Sequence, residues 1–317
     1  MKQLIGNKLW LAPLAGYTDQ AFRKLCKDHG ADVLVSEMVS ADGLVRDSAK
    51  TIRYIIFDPV ERPFGIQIFG SDPLIMAKAA EFCLAWKPDF IDINMGCPVK
   101  KVVRRGAGSA LMKNLTLAGE IVKACKSALC GEIPLSVKFR SGWDFNNLNF
   151  LEFGMLMQDS GADFLCLHPR TQTQMFSGKS DWDHIALLKK NLSIPLIGNG
   201  DIISPKTALQ LYSHTNCDSV MIGRGALGKP WIFEQIKELM RGETPSPITK
   251  DKLRQCIFDH ISLALQIKRE SVVVKEMRSQ IGFYTKGIIG GAELRKRMNS
   301  TDSIDEIYEL LDSALLI

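Results

Sequence analysis

The sequence predicts an α/β protein, a (β/α)8 TIM barrel over residues 1–242 followed by an all-helical C-terminal domain over 243–317. Three observations carry that expectation. Eight short apolar runs recur between Leu9 and Ile222, with helical patterns between them. Each run is continuously apolar rather than alternating, as expected of parallel strands buried on both faces. Beyond Thr249 the strands stop and a 3.6-residue period takes over.

The runs are Leu9–Ala12, Val33–Ser36, Gly65–Phe69, Phe90–Ile93, Leu135–Phe139, Phe164–Leu167, Pro195–Gly198 and Ser219–Ile222. Their spacing fills about 230 residues, close to the roughly 250 that a β/α barrel occupies; a doubly wound sheet is the runner-up. Ser71-Asp72-Pro73 and Ser204-Pro205 place a capping residue before a proline at the first helical position. A last barrel helix is expected over Trp231–Arg241, and the Gly- and Pro-rich run Gly242 to Thr249 reads as a linker. Leu253, Ile257, Ile261 and Leu265 then form one helical stripe, and Met277, Ile281 and Tyr284 another. Ser303-x-x-Glu306 forms a capping box before a last helix that buries Ile304, Ile307, Leu311 and Leu315. A separate bundle of about four helices is expected.

The chain has 317 residues, 46% hydrophobic and 24% charged, which suffices for a core without disulfides or metals. The start lacks a signal-peptide run, and no stretch reaches the ~18 uncharged apolar residues of a membrane span. A cytoplasmic protein without membrane contact is expected. Eight cysteines form no Cys-x-x-Cys pair. Cys26, Cys83, Cys125, Cys130, Cys166, Cys217 and Cys256 fall in apolar patterns, so no metal site is expected. The net charge is +5, yet residues 250–298 carry +6 and the tail from Asn299 carries −5. That basic stretch is either a solvated helical face or a surface for an anionic partner.

Active sites of β/α barrels lie at the C-terminal ends of the strands. Those ends are polar here: Ser36-Glu37, Gln67, Asn94, Lys138 with Arg140, His168 with Arg170, Asn199 with Asp201, and Arg224. So many polar groups on one rim argue against scattered structural roles. Gly223-Arg-Gly-Ala-Leu-Gly228 matches a dinucleotide pattern, but no further strand with an acidic residue follows it. A phosphate site fits better, with Gly200, Gly223 and Gly225 admitting backbone amides and Arg224 adding charge. Cys97 lies in a Gly-Cys-Pro turn and is expected to be exposed at the barrel mouth. Lys100, Lys101, Arg104 and Arg105 follow it, then Gly106-Ala-Gly-Ser109, a loop suited to an approaching anion.

These residues resemble the tRNA-dihydrouridine synthases. The resemblance rests on Ala12-Pro-Leu-Ala-Gly-Tyr-Thr-Asp19, Asp92-Ile-Asn-Met-Gly-Cys-Pro-Val-Lys-Lys101 and Gly106-Ala-Gly-Ser-Ala110. It continues in order through Lys138, His168-Pro-Arg-Thr171, Asn199-Gly-Asp201, Gly223-Arg224 and Lys229-Pro-Trp-Ile-Phe233, and covers essentially the whole chain. Within the family the chain is most similar to the bacterial B-type branch. One departure is Gln172, where many relatives carry a basic residue.

The resemblance implies FMN as cofactor, NADPH as reductant, and reduction of the C5–C6 double bond of a D-loop uridine in tRNA. It implies that reduced flavin delivers hydride to C6 while the catalytic Cys97 protonates C5 from the opposite face. Lys100 and Lys101 should lower the thiol's pKa, so their charges are expected to point away, toward RNA phosphate. On the cofactor side stand Pro13, Leu14, Ala15, Gln67, Lys138, His168, Asn199, Gly200, Asp201, Gly223 and Arg224. Lys138 is to stabilise charge on the flavin, and His168 lies on flavin or substrate. Asn94 and Arg170 are to contact the uracil. A flipped-out uridine costs a few kcal/mol, offset by Lys275, Arg278, Lys286, Arg295 and Arg297 gripping the tRNA backbone. A monomer without protein partners is expected. The alternatives are a small-molecule flavoenzyme, such as a dihydroorotate dehydrogenase-like barrel, and a catalytically dead RNA-binding barrel.

Overall fold

The structure, a computed structural model, describes residues 3–288 and 290–315; the expected outer bounds at residues 1 and 317 lie outside it. Eight parallel strands follow the predicted runs: β1 (Leu9–Leu11), β2 (Leu34–Val35), β3 (Phe64–Phe69), β4 (Phe90–Met95), β5 (Leu135–Gly142), β6 (Phe164–Thr171), β7 (Leu196–Asn199) and β8 (Ser219–Ile222). β8 returns to pair with β1. β1 and β2 meet through one bridge, Trp10 with Val33, so the barrel is nearly closed. A two-residue strand, Val39–Ser40, also pairs with the far end of β3 and had no counterpart among the predicted runs.

The filling of the barrel explains why its lower half reads as pure strand and its upper half does not. Trp10, Phe90 and Phe164 meet in T-shaped and tilted contacts with centroids 5.2–5.6 Å apart and plug the floor. Above them Gln67, Asp92 and Ser136 are direct neighbours across β3, β4 and β5. One layer higher Asn94 stands beside Lys138. Side chains two apart share a face of a strand, so polar residues replace apolar ones toward the mouth.

The outer helices start where expected. Asp72 caps Pro73–Leu84 through the Ile75 N–H, and Ser204 caps Pro205–Thr215 through the Thr207 N–H. Ser71 is not the cap; its hydroxyl donates to the Arg105 carbonyl at 2.7 Å.

Among the described residues four helices follow the linker: Lys250–Leu265, Glu270–Tyr284, Gly291–Met298 and Ile304–Leu315. The predicted stripes are buried, except that Leu265 ends its helix exposed. The capping box is shifted by one residue. Ser303 Oγ accepts the Glu306 N–H, but the Glu306 carboxylate accepts from Asp302 rather than from Ser303.

The helices are less separate than the sequence implied. One apolar cluster runs through the barrel's outer layer and the C-terminal helices. Lys268 ties Asp19 and Glu276 together, and Tyr17 meets Phe283 edge to face at 5.5 Å. Gly228 lies so near that a Cβ there would sit 2.3 Å from the Phe283 carbonyl carbon. Among the described residues, no helix is long and apolar enough to cross a membrane.

Candidate active site

Cys97 is held by its backbone. Asn94 Oδ1 accepts the N–H groups of Gly96 at 3.1 Å and Cys97 at 2.9 Å. Arg140 Nε donates to the Gly96 carbonyl at 2.7 Å. The Cys97 carbonyl accepts from the Ser109 hydroxyl at 2.9 Å and its N–H at 3.1 Å. Gly108 completes the clasp at φ +61, where a Cβ would lie 2.8 Å from that same carbonyl.

This arrangement corrects three expectations. Cys97 is not exposed; it packs against Met38, Phe69, Val102 and Ala107 with 9% of its surface open. Burial pushes its pKa up, and the cations that pull partly back are Arg140 and Lys138, not Lys100 and Lys101. The Gly108-Ser109 end of the expected anion loop is spent on the Cys97 carbonyl. Lys100, Lys101, Arg104 and Arg105 are exposed, with no ion pair among the described residues. Cys130, placed in an apolar pattern, is exposed in a turn at φ +48.

The two groups expected to read the uracil are occupied elsewhere. Asn94 spends its oxygen on the Cys97 turn and donates to Gln67 Oε1 at 2.8 Å. Gln67 is fully buried and donates to Asp92 at 2.6 Å, so its amide points along the barrel interior. Arg170 is 2% exposed and engages all five of its N–H donors within the protein. They reach Ser177 O, Gly178 O, Ser180 Oγ, His168 Nε2 and the Asp201 carboxylate. In this arrangement Arg170 fixes neighbouring loops and keeps no donor for a base.

Lys138 and His168 face the mouth half-buried. Lys138 Nζ donates to Asn199 Oδ1 at 3.1 Å, and Asn199 donates in turn to the Met221 carbonyl at 2.7 Å. Burial lowers the lysine's pKa. Burial and then the charges of Lys138, Arg140, Arg170 and Arg224 hold His168 well below the usual histidine range. The imidazole is therefore neutral, and because an arginine only donates, Nε2 accepts and the proton sits on Nδ1.

The loops after β7 and β8 form the candidate phosphate site. Gly200 takes φ +126, and a Cβ there would lie 2.4 Å from Ser180 Oγ. Gly225 presses on the Ile202 carbonyl, where a Cβ would come within 2.0 Å, which locks the two loops together. Gly223 is less confined: its nearest neighbour would be 3.6 Å away. Among the described residues the N–H groups of Arg224 and Gly225 meet no protein acceptor. The Arg224 side chain is 47% exposed, donates to the Phe176 carbonyl and lies 3.5 Å from Asp201. Burial raises the Asp201 pKa, but the Ser180 N–H and Arg170 outweigh it and the net shift is downward. Asp201 thus serves as counter-ion to two arginines.

At the opposite strand ends, Pro13, Leu14 and Ala15 line the mouth in a turn closed by Tyr17 and Thr18 N–H bonds to the Leu14 carbonyl. Glu37 braces the turn by accepting the Gly16 N–H, and burial raises its pKa. Arg140, Asp92 and Glu37 are the site residues that sequence reasoning left without a role. A period-2 reading could have found two of them, since Asp92 and Arg140 stand two residues from Asn94 and Lys138.

The tail cations divide. Lys275, Lys286 and Arg297 are exposed, without ion pairs among the described residues. Arg278 is half-buried, donates to the Thr301 carbonyl and pairs with Asp302 at 3.0 Å. Arg295 donates to the Thr285 carbonyl at 3.1 Å. These two arginines join helices to one another, which departs from their expected place on the tRNA surface.

A family model for dihydrouridine synthases matches residues 10–316. The chain belongs to the dihydrouridine synthase family. Its members are tRNA-modifying, flavin-dependent oxidoreductases, and the chain is an enzyme of that kind. It is 37% identical over 307 residues to tRNA-dihydrouridine synthase B of Vibrio parahaemolyticus, covering 96% of this chain and 95% of that protein. The B synthase of Pseudomonas aeruginosa is 36% identical over 94% of this chain and 90% of its own length. The probable tRNA-dihydrouridine synthase of Treponema pallidum is 36% identical over 98% and 94%. Among solved structures, histamine dehydrogenase from Rhizobium sp. 4-9 superposes with a TM-score of 0.53 at 12% identity, over 81% of this chain and 49% of that one. That likeness concerns the barrel fold alone.

Proposed function

We propose that this synthase uses FMN, reduced by NADPH, to reduce the C5–C6 double bond of a D-loop uridine in tRNA. The observation that carries the reading is the Cys97 turn, whose peptide groups are clasped by Asn94, Ser109 and Arg140 at the strand ends. A general acid has to keep its proton until the substrate arrives, and a buried thiol with a raised pKa does so at neutral pH.

The residues present fit FMN. In the loop after β8, the amides of Arg224 and Gly225, without an acceptor among the described residues, join a half-exposed arginine side chain, which is the donor set a phosphate needs. When bound, the flavin supplies the hydride for C6 of the uracil. Lys138, held beside Asn199, would offer positive charge to a reduced flavin bound there. His168 offers Nδ1–H as a neutral donor. With Asn94 and Arg170 committed, Arg140 is the rim arginine whose Nη2 makes no hydrogen bond among the described residues. Cys97 gives its proton to C5. Residues 243–315 act as the tRNA-binding part, with Lys275, Lys286 and Arg297 on phosphates, and Lys100, Lys101, Arg104 and Arg105 provide a second basic edge at the mouth.

The test is single-turnover reoxidation of reduced holoenzyme by unmodified tRNA. Cys97→Ala is expected to slow it about 10²–10⁴-fold, the scale of a lost general acid. The buried Cys166, 3.6 Å from Met221 Sδ, serves as control, and its alanine variant should keep the rate. A Cys97→Ala enzyme that reoxidises at the normal rate removes the thiol from the mechanism.

A further inference from the structure

Asp92 lies on β4 below the reactive turn, 5% exposed. Its Oδ1 accepts from Ser136 Oγ at 2.5 Å and its Oδ2 from Gln67 Nε2 at 2.6 Å. Gln67 Oε1 accepts from Asn94 Nδ2 at 2.8 Å, and Asn94 Oδ1 accepts the Gly96 and Cys97 N–H groups. The chain of bonds has a direction. Burial raises the Asp92 pKa, and both its oxygens accept here, so Gln67 turns its NH₂ toward Asp92 and its oxygen toward Asn94. Asn94 must then turn its NH₂ toward Gln67 and its oxygen toward the turn. Reversing either amide would set N–H against N–H, or oxygen against oxygen, in a buried site.

We propose that Asp92 is a positioning residue for proton delivery, acting through Gln67 and Asn94 to fix the turn that presents the Cys97 thiol. The inference rests on the reading of Cys97 as general acid. No proton travels along the chain of bonds, because it ends on the peptide N–H of Cys97 and not on sulfur. The role is geometric.

The test is again single-turnover reoxidation of reduced holoenzyme by an unmodified tRNA transcript. Asp92→Ala is expected to slow it about 10–100-fold, the effect of a reacting group displaced by about 1 Å. Asp92→Asn should recover the rate to within about threefold, because its oxygen can still accept from Gln67 while Ser136 turns to its second acceptor. That second acceptor, the Ile91 carbonyl, lies 3.4 Å from Ser136 Oγ.

The deciding measurement is the double variant with Cys97→Ala. A residue acting only through the thiol adds no further loss once the thiol is gone. An equal extra loss in the Cys97→Ala background overturns the proposal and assigns the effect to the neighbouring Lys138. A normal rate for Asp92→Ala also overturns it. Should Asp92→Ala fail to fold, Gln67→Met interrupts the same chain and enters the same cycle, where loss of a flavin contact would persist without the thiol. The two readings fail separately. A fast Cys97→Ala enzyme sinks the acid itself, whereas a slow Cys97→Ala with a fast Asp92→Ala sinks only the positioning role.

Discussion

The cations at the barrel mouth and those on the C-terminal helices have the same chemistry and opposite surroundings. Arg140 and Arg170 are each 2% exposed, and between them they fasten Gly96, Thr171, Met175, Ser177, Gly178 and Asp201. Lys275, Lys286 and Arg297 fasten nothing among the described residues and stand in solvent. A buried guanidinium is held by every peptide oxygen around it, so its removal is felt as lost structure. An exposed ammonium contributes little to folding and remains available to a phosphate. Position, not residue type, separates the cations that fasten peptide groups from those left in solvent.

The sharpest break of that contrast is Arg170→Ala. It strands Gly178 O and Ser177 O and takes from the Asp201 carboxylate the nearer of its two arginines. Because Asp201 keeps 30% exposure, the loss should fall toward the lower end of about 3–5 kcal/mol for breaking a buried pair, read by denaturant or thermal unfolding. Unfolding at the wild-type midpoint would mean that the mouth arginines are ordinary surface groups.

Arg224 stands between the two classes, half-exposed beside Asp201. Arg224→Ala should leave unfolding nearly unchanged and weaken FMN about 10–100-fold in equilibrium titration, the range of one charge-assisted hydrogen bond. Full flavin retention would move the phosphate site elsewhere.

Within the tail, Arg278→Ala is expected to cost about 1–2 kcal/mol of stability, since it removes donors to Thr301 and Asp302. Lys275→Ala, Lys286→Ala and Arg297→Ala should each leave the unfolding midpoint in place. Each instead flattens the slope of log K for tRNA against log salt by up to about 0.9. If Arg278→Ala flattens the slope without loss of stability, the division of the tail cations is wrong.

The smallest effect concerns pH. Burial raises the Cys97 pKa, so the thiol keeps its proton above the ordinary cysteine range. Single-turnover rates should therefore stay level as pH rises through that range and fall only beyond it. In Arg140→Met one opposing cation is gone, so the falling limb should move further up. A downward move would show that burial is not what governs the thiol.

Much of the molecule was legible because strand periodicity and turn chemistry are local. The eight runs, the Asp72 and Ser204 caps and the linker were each readable from a few adjacent residues. The tail stripes were equally readable, since helix faces repeat within a few residues. The environment of Cys97 was not, because its turn looks exposed until Ser109, Asn94 and Arg140 close on it from three elements. Nor was the commitment of Arg170, whose partners reach as far as Asp201.

By itself the sequence determined which residue types stand at the strand ends, since side-chain alternation and buried-strand composition are written into neighbouring positions. It therefore placed Cys97, Lys138, His168 and Arg224 on one rim. Only the tertiary structure decided which of these groups still have free donors and which are used up. Hydrogen-bond capacity is finite, and its assignment depends on peptide oxygens that any residue supplies alike. Arg170 and Lys275 are both cations in the sequence; what differs is whether folding brings peptide carbonyls within 3.2 Å of one and leaves the other in water.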